Sequence, residues 1–191
     1  MANIAELKNA LGAGGRANKY SVGLSIPSAV ATVSELANSD VLCKAATFPS
    51  MTVGQIEVFN QGRKLILPGD TTYTNTWTLT FYNTEDHALR RDMIAWMRAA
   101  DDFQRNTHSG NPSSIMTDLN ISQLDSKGNV TATYTFHNVF VQEVGEVSVG
   151  DDQTDTVQEF DVTFSFTDWV TGTGEFNEPN AATPAAKNDI A

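Results

Sequence analysis

The sequence predicts a mainly β fold, a single-domain β-sandwich or barrel with one α-helix packed at its side. Three observations carry that prediction. Short segments of strict apolar–polar alternation recur along the chain. One segment, about 84–101, places its large apolar residues at helical spacing. No unit of roughly 20–50 residues repeats, which excludes solenoids and propellers.

Residues 1–15 read as an N-terminal arm. Ala2–Leu11 forms a short amphipathic helix with Ile4, Leu7 and Leu11 on one side, ended by Gly12–Gly15. Asn18–Ile26 alternates, with Tyr20, Val22, Leu24 and Ile26 facing one way, and so predicts a half-buried strand. Val41–Thr47 is a second strand, closed by Phe48-Pro49. Val53–Phe59 and Arg63–Leu67 flank Asn60-Gln61-Gly62 and predict a hairpin. Thr72–Tyr82 sets Tyr73, Trp77, Leu79 and Phe81 against a row of threonines, a side-chain type that suits a pleated polar surface.

The helix follows. Thr84 is placed as its N-cap, and Glu85 and Asp86 complement the helix dipole. Leu89, Met93, Trp96, Met97 and Ala100 form its apolar face, with Arg90, Arg91 and Arg98 elsewhere. Phe103–Ser113 is a loop. From Ile115 the chain is β again, turning at Lys127-Gly128-Asn129. Val130, Ala132, Tyr134, Phe136 and Phe140 are expected on one face, with a parity slip near Gly145. Gly150–Gln153 is a turn. The last predicted strand sets Phe160, Val162, Phe164 and Phe166 against Glu159, Asp161, Thr163, Ser165 and Thr167, and Trp169 closes it. The β domain is thus bounded at 16–170, and 171–191 reads as a polar C-terminal extension.

The charge pattern narrows the function. The chain has 191 residues and a net charge of −11. From Gly128 to Ala186 there is no Lys or Arg, against ten carboxylates. Such a balance argues against sequence-independent DNA binding, which relies on basic groups, and against docking on anionic lipid. Cys43 is the only cysteine, so no intrachain disulfide exists. No apolar run is long enough to span a bilayer as a helix, and no secretory signal is evident at Met1–Gly15.

No catalytic or metal constellation emerges. His87, His108 and His137 fall in separate elements without a second His or Cys at ligand spacing, and read as solvated or capping histidines. Gly12-Ala13-Gly14-Gly15-Arg16-Ala17 matches a dinucleotide fingerprint in letters but follows no strand and opens no helix. Asp151, Asp152 and Asp155 lack the glycine and distal glutamate of a calcium loop. The aromatic rows Trp77/Phe81 and Phe160/Phe164 read as core rather than as a base-stacking platform, and Cys43 as a buried small hydrophobe. The expectation is therefore a structural protein, not an enzyme, with no cofactor and no metal.

A longer pattern points the same way. Leu42-Cys43-Lys44-Ala45-Ala46-Thr47-Phe48-Pro49 precedes Gly54-Gln55-Ile56-Glu57 and Gly62-Arg63-Lys64. Pro68-Gly69-Asp70-Thr71, Trp77-Thr78-Leu79-Thr80, Asn83-Thr84-Glu85-Asp86-His87 and Trp96 follow. Val144-Gly145-Glu146-Val147, Gln158–Phe164 and Asp168-Trp169 complete it. This order resembles the tail tube proteins of contractile-tailed bacteriophages over roughly Arg16–Val170.

The resemblance implies a tube-protein-like fold, hexameric rings and stacking of rings into a hollow tube that conducts DNA into the host. It implies as partners further copies of the chain, the sheath protein, and baseplate and tail terminator proteins. Tape measure protein and DNA would pass through the lumen without specific binding. The implied location is the virion tail, assembled in the host bacterial cytoplasm. The alternative is the tube of a bacterial contractile injection or type VI-like secretion system. A third reading, a monomeric carbohydrate-binding sandwich, lacks the exposed aromatic platform it needs. Within this frame Glu159, Asp161, Thr163, Ser165, Glu143 and Glu146 are candidates to line the lumen. Arg63, Lys64, Asp70, Asp151, Asp152 and Asp155 are candidates for ring-to-ring contact. The stretch Glu143–Asp155 is open to either role.

Overall fold

A computed structural model describes residues 3–12, 14–25, 27, 30, 39–102, 104–108, 111–151 and 153–172. The helices are α1 (Ile4–Leu11), α2 (Ser39–Leu42) and α3 (Ala88–Ala100). The strands are β1 (Tyr20–Gly23), β2 (Cys43–Ala46), β3 (Met51–Asn60), β4 (Arg63–Tyr73), β5 (Thr76–Tyr82), β6 (Asp101–Asp102) and β7 (Thr107–His108). They continue with β8 (Thr117–Leu124), β9 (Val130–Val144), β10 (Glu159–Ser165) and β11 (Asp168–Gly172).

The body is one seven-stranded antiparallel sheet in the order β1-β8-β9-β10-β5-β2, with β11 also on β9. It bends into two layers that share β9. The first half of β9 pairs with β8 and β11, and the second half with β10. The bend falls at Asn138, whose φ of +55° makes it a bulge residue. Asp118 holds it: its carboxylate accepts from the Asn138 backbone N–H at 3.2 Å and pairs with His137 Nδ1 at 3.0 Å.

The core lies between the layers. Trp77 of β5 stacks on Phe136 of β9 with centroids 4.4 Å apart. Leu79, Phe81, Phe136, Val162 and Phe164 have no solvent exposure. Helix α3 closes the side through Leu89, Met93 and Trp96, whose indole N–H donates to the Ile115 carbonyl at 2.8 Å. The expected mainly β domain with one long flanking helix is therefore found. The sheet is not closed into a barrel: among the described residues β1, β2 and β11 each pair on one side only.

Several local expectations are corrected. The chain enters α3 at Ala88, not Thr84, because His87 is left-handed at φ +53° and interrupts helical geometry. Asp86, not Thr84, caps the turn, accepting from the Thr84 hydroxyl at 2.6 Å and the Ala88 N–H at 3.3 Å. Those contacts hold the Asp86 carboxyl below its ordinary value. Thr72–Tyr82 is two strands, since the chain leaves the hairpin after Tyr73 and joins the body at Thr76. The parity of β9 slips twice. The first slip is at Asn138, earlier than expected, so that Val139 and Val141 are buried in place of Phe140. The second is at Gln142, in the expected region, where Thr163 and Phe164 face Glu143 and Val141. The strand Val41–Thr47 begins as the short helix α2. Trp169 does not close the last strand but lies within β11, which pairs with β9 from Asp168 opposite His137 to Gly172 opposite Thr133.

Candidate functional site

Strand alternation buries one face of β5 and β10 and leaves the other polar. Thr76, Thr78 and Thr80 stand on β5 beside Ser165, Thr163 and Asp161 on β10 in direct register. Glu143 of β9 lies opposite Thr163. Hydroxyls and carboxylates cross-link this face: Thr80 Oγ1 donates to Asp161 Oδ1 at 2.7 Å, and the Thr78 and Thr163 hydroxyls are 3.2 Å apart.

Glu143, Glu146, Asp161, Thr163 and Thr78 line a single open groove. Its floor needs a close approach of two backbones. The Gly145 N–H donates to the Asp161 carbonyl oxygen at 2.7 Å, and a Cβ on Gly145 would lie 2.9 Å from that oxygen. A side chain there would push the end of β9 off β10 and open the groove.

Glu159 belongs to the same strand face but is not a bare acid. Lys44 of β2 reaches it at 2.6 Å and sits 5.9 Å over the Tyr82 ring. The hydrogen bond to Glu159 raises the Lys44 pKa from its ordinary value. Sequence reasoning missed Lys44 because it is 115 residues from Glu159 and only β-pairing brings them together. The one available signal was alternation: Lys44 follows inward Cys43 and so points outward on an edge strand.

The structure brings Arg63, Lys64 and Asp70 onto a second feature, the β3–β4 hairpin. Gln61 at φ +48° and Gly62 at φ +79° form its tight turn. Its register puts Ile56, Val58, Leu65 and Leu67 on one face, all between 42% and 56% exposed. The other face mixes Phe59 and Ile66 with Glu57 and Lys64, which pair with each other. Two strands alone are marginal in water, and an exposed apolar face demands a cover. Asp151 and Asp155 lie exposed on the loop between β9 and β10, away from this hairpin in the chain. Asp152 and residues 173–191 lie outside the described residues.

His87 is the N-cap residue of α3, His108 is exposed, and His137 is bonded across two strands. His87 Nδ1 lies 2.7 Å from Asn83 Nδ2, and His137 pairs with Asp118. The expected aromatic core rows are buried, as is Cys43.

Comparison with known proteins matches this fold to relatives. The model of the family described as phage tail tube protein matches residues 15–172. The tail tube protein of Serratia phage KSP90 is 27% identical over 163 residues, covering 84% of this chain and 92% of the relative. Tail tube protein gp19 of Enterobacteria phage T4 is 29% identical over 129 residues, covering 66% of this chain and 78% of the relative. Among solved structures, a chain of the PVC extracellular contractile injection system, in its extended sheath–tube complex, aligns with a TM-score of 0.55 at 14% identity. That alignment covers 91% of this chain and 100% of the other. The AFP tube terminating cap of the anti-feeding prophage aligns with a TM-score of 0.56 at 16% identity, covering 83% and 91%. The match over nearly all of the two-layer body settles the family: the chain belongs to the phage tail tube proteins and is a structural tail tube subunit.

Proposed function

We propose that copies of this chain close into hexameric rings that stack into a tube, and that the polar outer face of β5, β10 and the end of β9 lines its lumen. The observation that carries this reading is the acid-rich face itself. It is a continuous pleated surface of hydroxyls and carboxylates on a protein of the tail tube family. Among the described residues DNA phosphates would find no cationic partner on such a wall apart from Lys44, which pairs with Glu159. The duplex therefore meets no deep electrostatic wells and slides. The role is non-catalytic: the wall works by the interactions it withholds.

The free edges β1, β2 and β11 and the apolar hairpin are what ring closure and stacking would consume. A cyclic assembly pairs every edge with its neighbour and leaves none exposed. Arg63, Lys64 and Asp70 ride on that hairpin and are our candidates for contact between rings, with Asp151, Asp152 and Asp155 as candidate acidic counterparts. Sheath, baseplate and terminator proteins are the implied partners outside and at the ends, with assembly in the host cytoplasm and tape measure protein inside. The similarity in fold to a tube of an extracellular contractile injection system supports a second reading, in which the tube conducts proteins. The contents of purified particles distinguish the two.

Assembled tails carrying Glu159→Lys with Asp161→Lys test the lumen assignment. Tubes of normal appearance by electron microscopy with slowed or stalled DNA ejection are expected. Normal ejection kinetics from such tails would refute the assignment.

A further inference from the structure

The outer flank of α3 carries a groove that neither the polar sheet face nor the hairpin explains. Arg90, Ile94, Met97, Arg98 and Asp101 line it from the helix and its C-terminal cap, and Val144 from the end of β9 completes it. These helix positions share one side, turned away from the stripe of Leu89, Met93 and Trp96 that enters the core. The centre is apolar: Ile94 and Val144 are half-buried, and Met97 is 37% exposed. Arginines stand at both ends of that centre. Arg90 is fixed in place by donating Nη2–H to the Gly145 carbonyl at 3.1 Å, and its Nε is buried without an acceptor. Two guanidiniums around an apolar seat, against one carboxylate, suit a large apolar side chain flanked by acids.

The chain itself contains such a segment. Glu175-Phe176-Asn177-Glu178 sets one aromatic between two carboxylates, and Phe176 is the only aromatic among residues 173–191. It begins three positions after the end of β11 and lies beyond the end of the family match at residue 172. The match therefore does not account for it.

We propose that the α3 groove receives Glu175–Glu178 from a neighbouring copy of the chain, with Phe176 over Ile94, Met97 and Val144 and the glutamates toward Arg90 and Arg98. Reach makes the contact intermolecular. Gly172 pairs with Thr133, whereas Val144 is 144 − 133 = 11 residues further along β9. That is about 36 Å of strand, and about 25 Å end to end if β9 turned a right angle midway. The four residues from Gly172 to Phe176 span at most about 14 Å fully extended. The C-terminal segment would thus act as a strap between subunits, outside the lumen. This inference rests on the ring reading above.

The experiment uses full-length chains carrying Phe176→Cys or Met97→Cys, mixed, assembled into tubes and mildly oxidised. Native Cys43 is 7% exposed and contributes little background. A disulfide-linked heterodimer is expected in tubes and not in dilute monomer, falling at least about tenfold when Glu175→Lys and Glu178→Lys are added, as charge complementarity requires. Tubes that form without the cross-link would overturn the proposal. So would an intrachain disulfide in the doubly substituted chain without a ladder of multimers. As a second measurement, Met97→Cys should react with a maleimide several-fold faster in tubes lacking residues 173–191 than in full-length tubes. Equal rates would also overturn it. Failure of the unsubstituted chain to form tubes at all would instead remove the ring reading on which the strap depends.

Discussion

Cys43 shows how single residues are set by their neighbours. It lies on β2 facing Phe81, and burial pushes its thiol from 9.0 up to about 11. The folded chain therefore prefers the neutral thiol. Stability from this preference is intact below pH 9.0 and is lost as pH rises from there toward about 11, because the unfolded chain ionises first. The expected outcome is a fall in Tm across that window that is smaller in Cys43→Ala, measured by thermal melts of both proteins. Alkylation of native protein at pH 8 should be negligible until denaturant is added. The burial of Cys43 was legible from its apolar surroundings in sequence. Asp118 was not legible, because its role depends on a bulge in another strand. Nothing within a few residues of Asp118 hints that its carboxylate will meet His137 and the Asn138 N–H.

At the scale of elements, the β3–β4 hairpin and α3 behave differently. Helix α3 is held by the core through Leu89, Met93 and Trp96. The hairpin has a turn and a ladder, and its apolar face is uncovered among the described residues, which is why the ring reading assigns it to contact between copies. Replacing Ile56 and Leu67 by Lys should cost the monomer no more than about 1–2 kcal/mol, since both side chains are already half exposed although the new charges face each other across the ladder. The same variant should fail to form rings or tubes. Urea denaturation and electron microscopy read the two effects separately, and a variant that assembled normally would show that this face is not an interface. The hairpin's existence was plain from Asn60-Gln61-Gly62 between two β-rich runs. Its full length was hidden, because the end of β4 and the start of β5 carry one unbroken alternation. The break at Thr74-Asn75 comes from tertiary attachment: the Asn75 side chain donates to the Phe166 carbonyl at 3.2 Å. Helix α1 was likewise legible, and its capping box between Asn3 and Glu6 is present.

The whole molecule is organised by β9. Each layer uses part of this strand, so neither can detach while the other persists. Phe136→Ala, in the first half of β9, should destabilise the protein by roughly 3–5 kcal/mol. Amide hydrogen exchange should then accelerate together in β8, β10 and β5, whereas the hairpin amides exchange faster from the start. Exchange that accelerated in one layer alone would contradict a shared framework. Of the candidate lumen residues, Glu143, Glu146, Asp161 and Thr163 meet around one groove, and Ser165 continues the face beside Thr76. That grouping was legible for β10, where alternation alone assigns faces. It was not legible for Glu143 and Glu146, whose orientation follows from two irregularities in β9.

The division between a locally paired hairpin and a body built from distant strands also fixes an order in time. Met51–Tyr73 needs only its own turn, and hairpins of this kind form in about 1–10 μs. The body must pair Tyr82 with Glu159 and Val22 with Ile121 across long loops, a topology that folds in roughly milliseconds to seconds. During nearly all of folding, then, an apolar ribbon is available while the scaffold that aims it is missing. Refolding yield should drop as protein concentration rises, and the Lys-substituted hairpin should relieve that loss. On the ring reading, delaying self-association until the body has formed is as much a requirement of the sequence as the final shape.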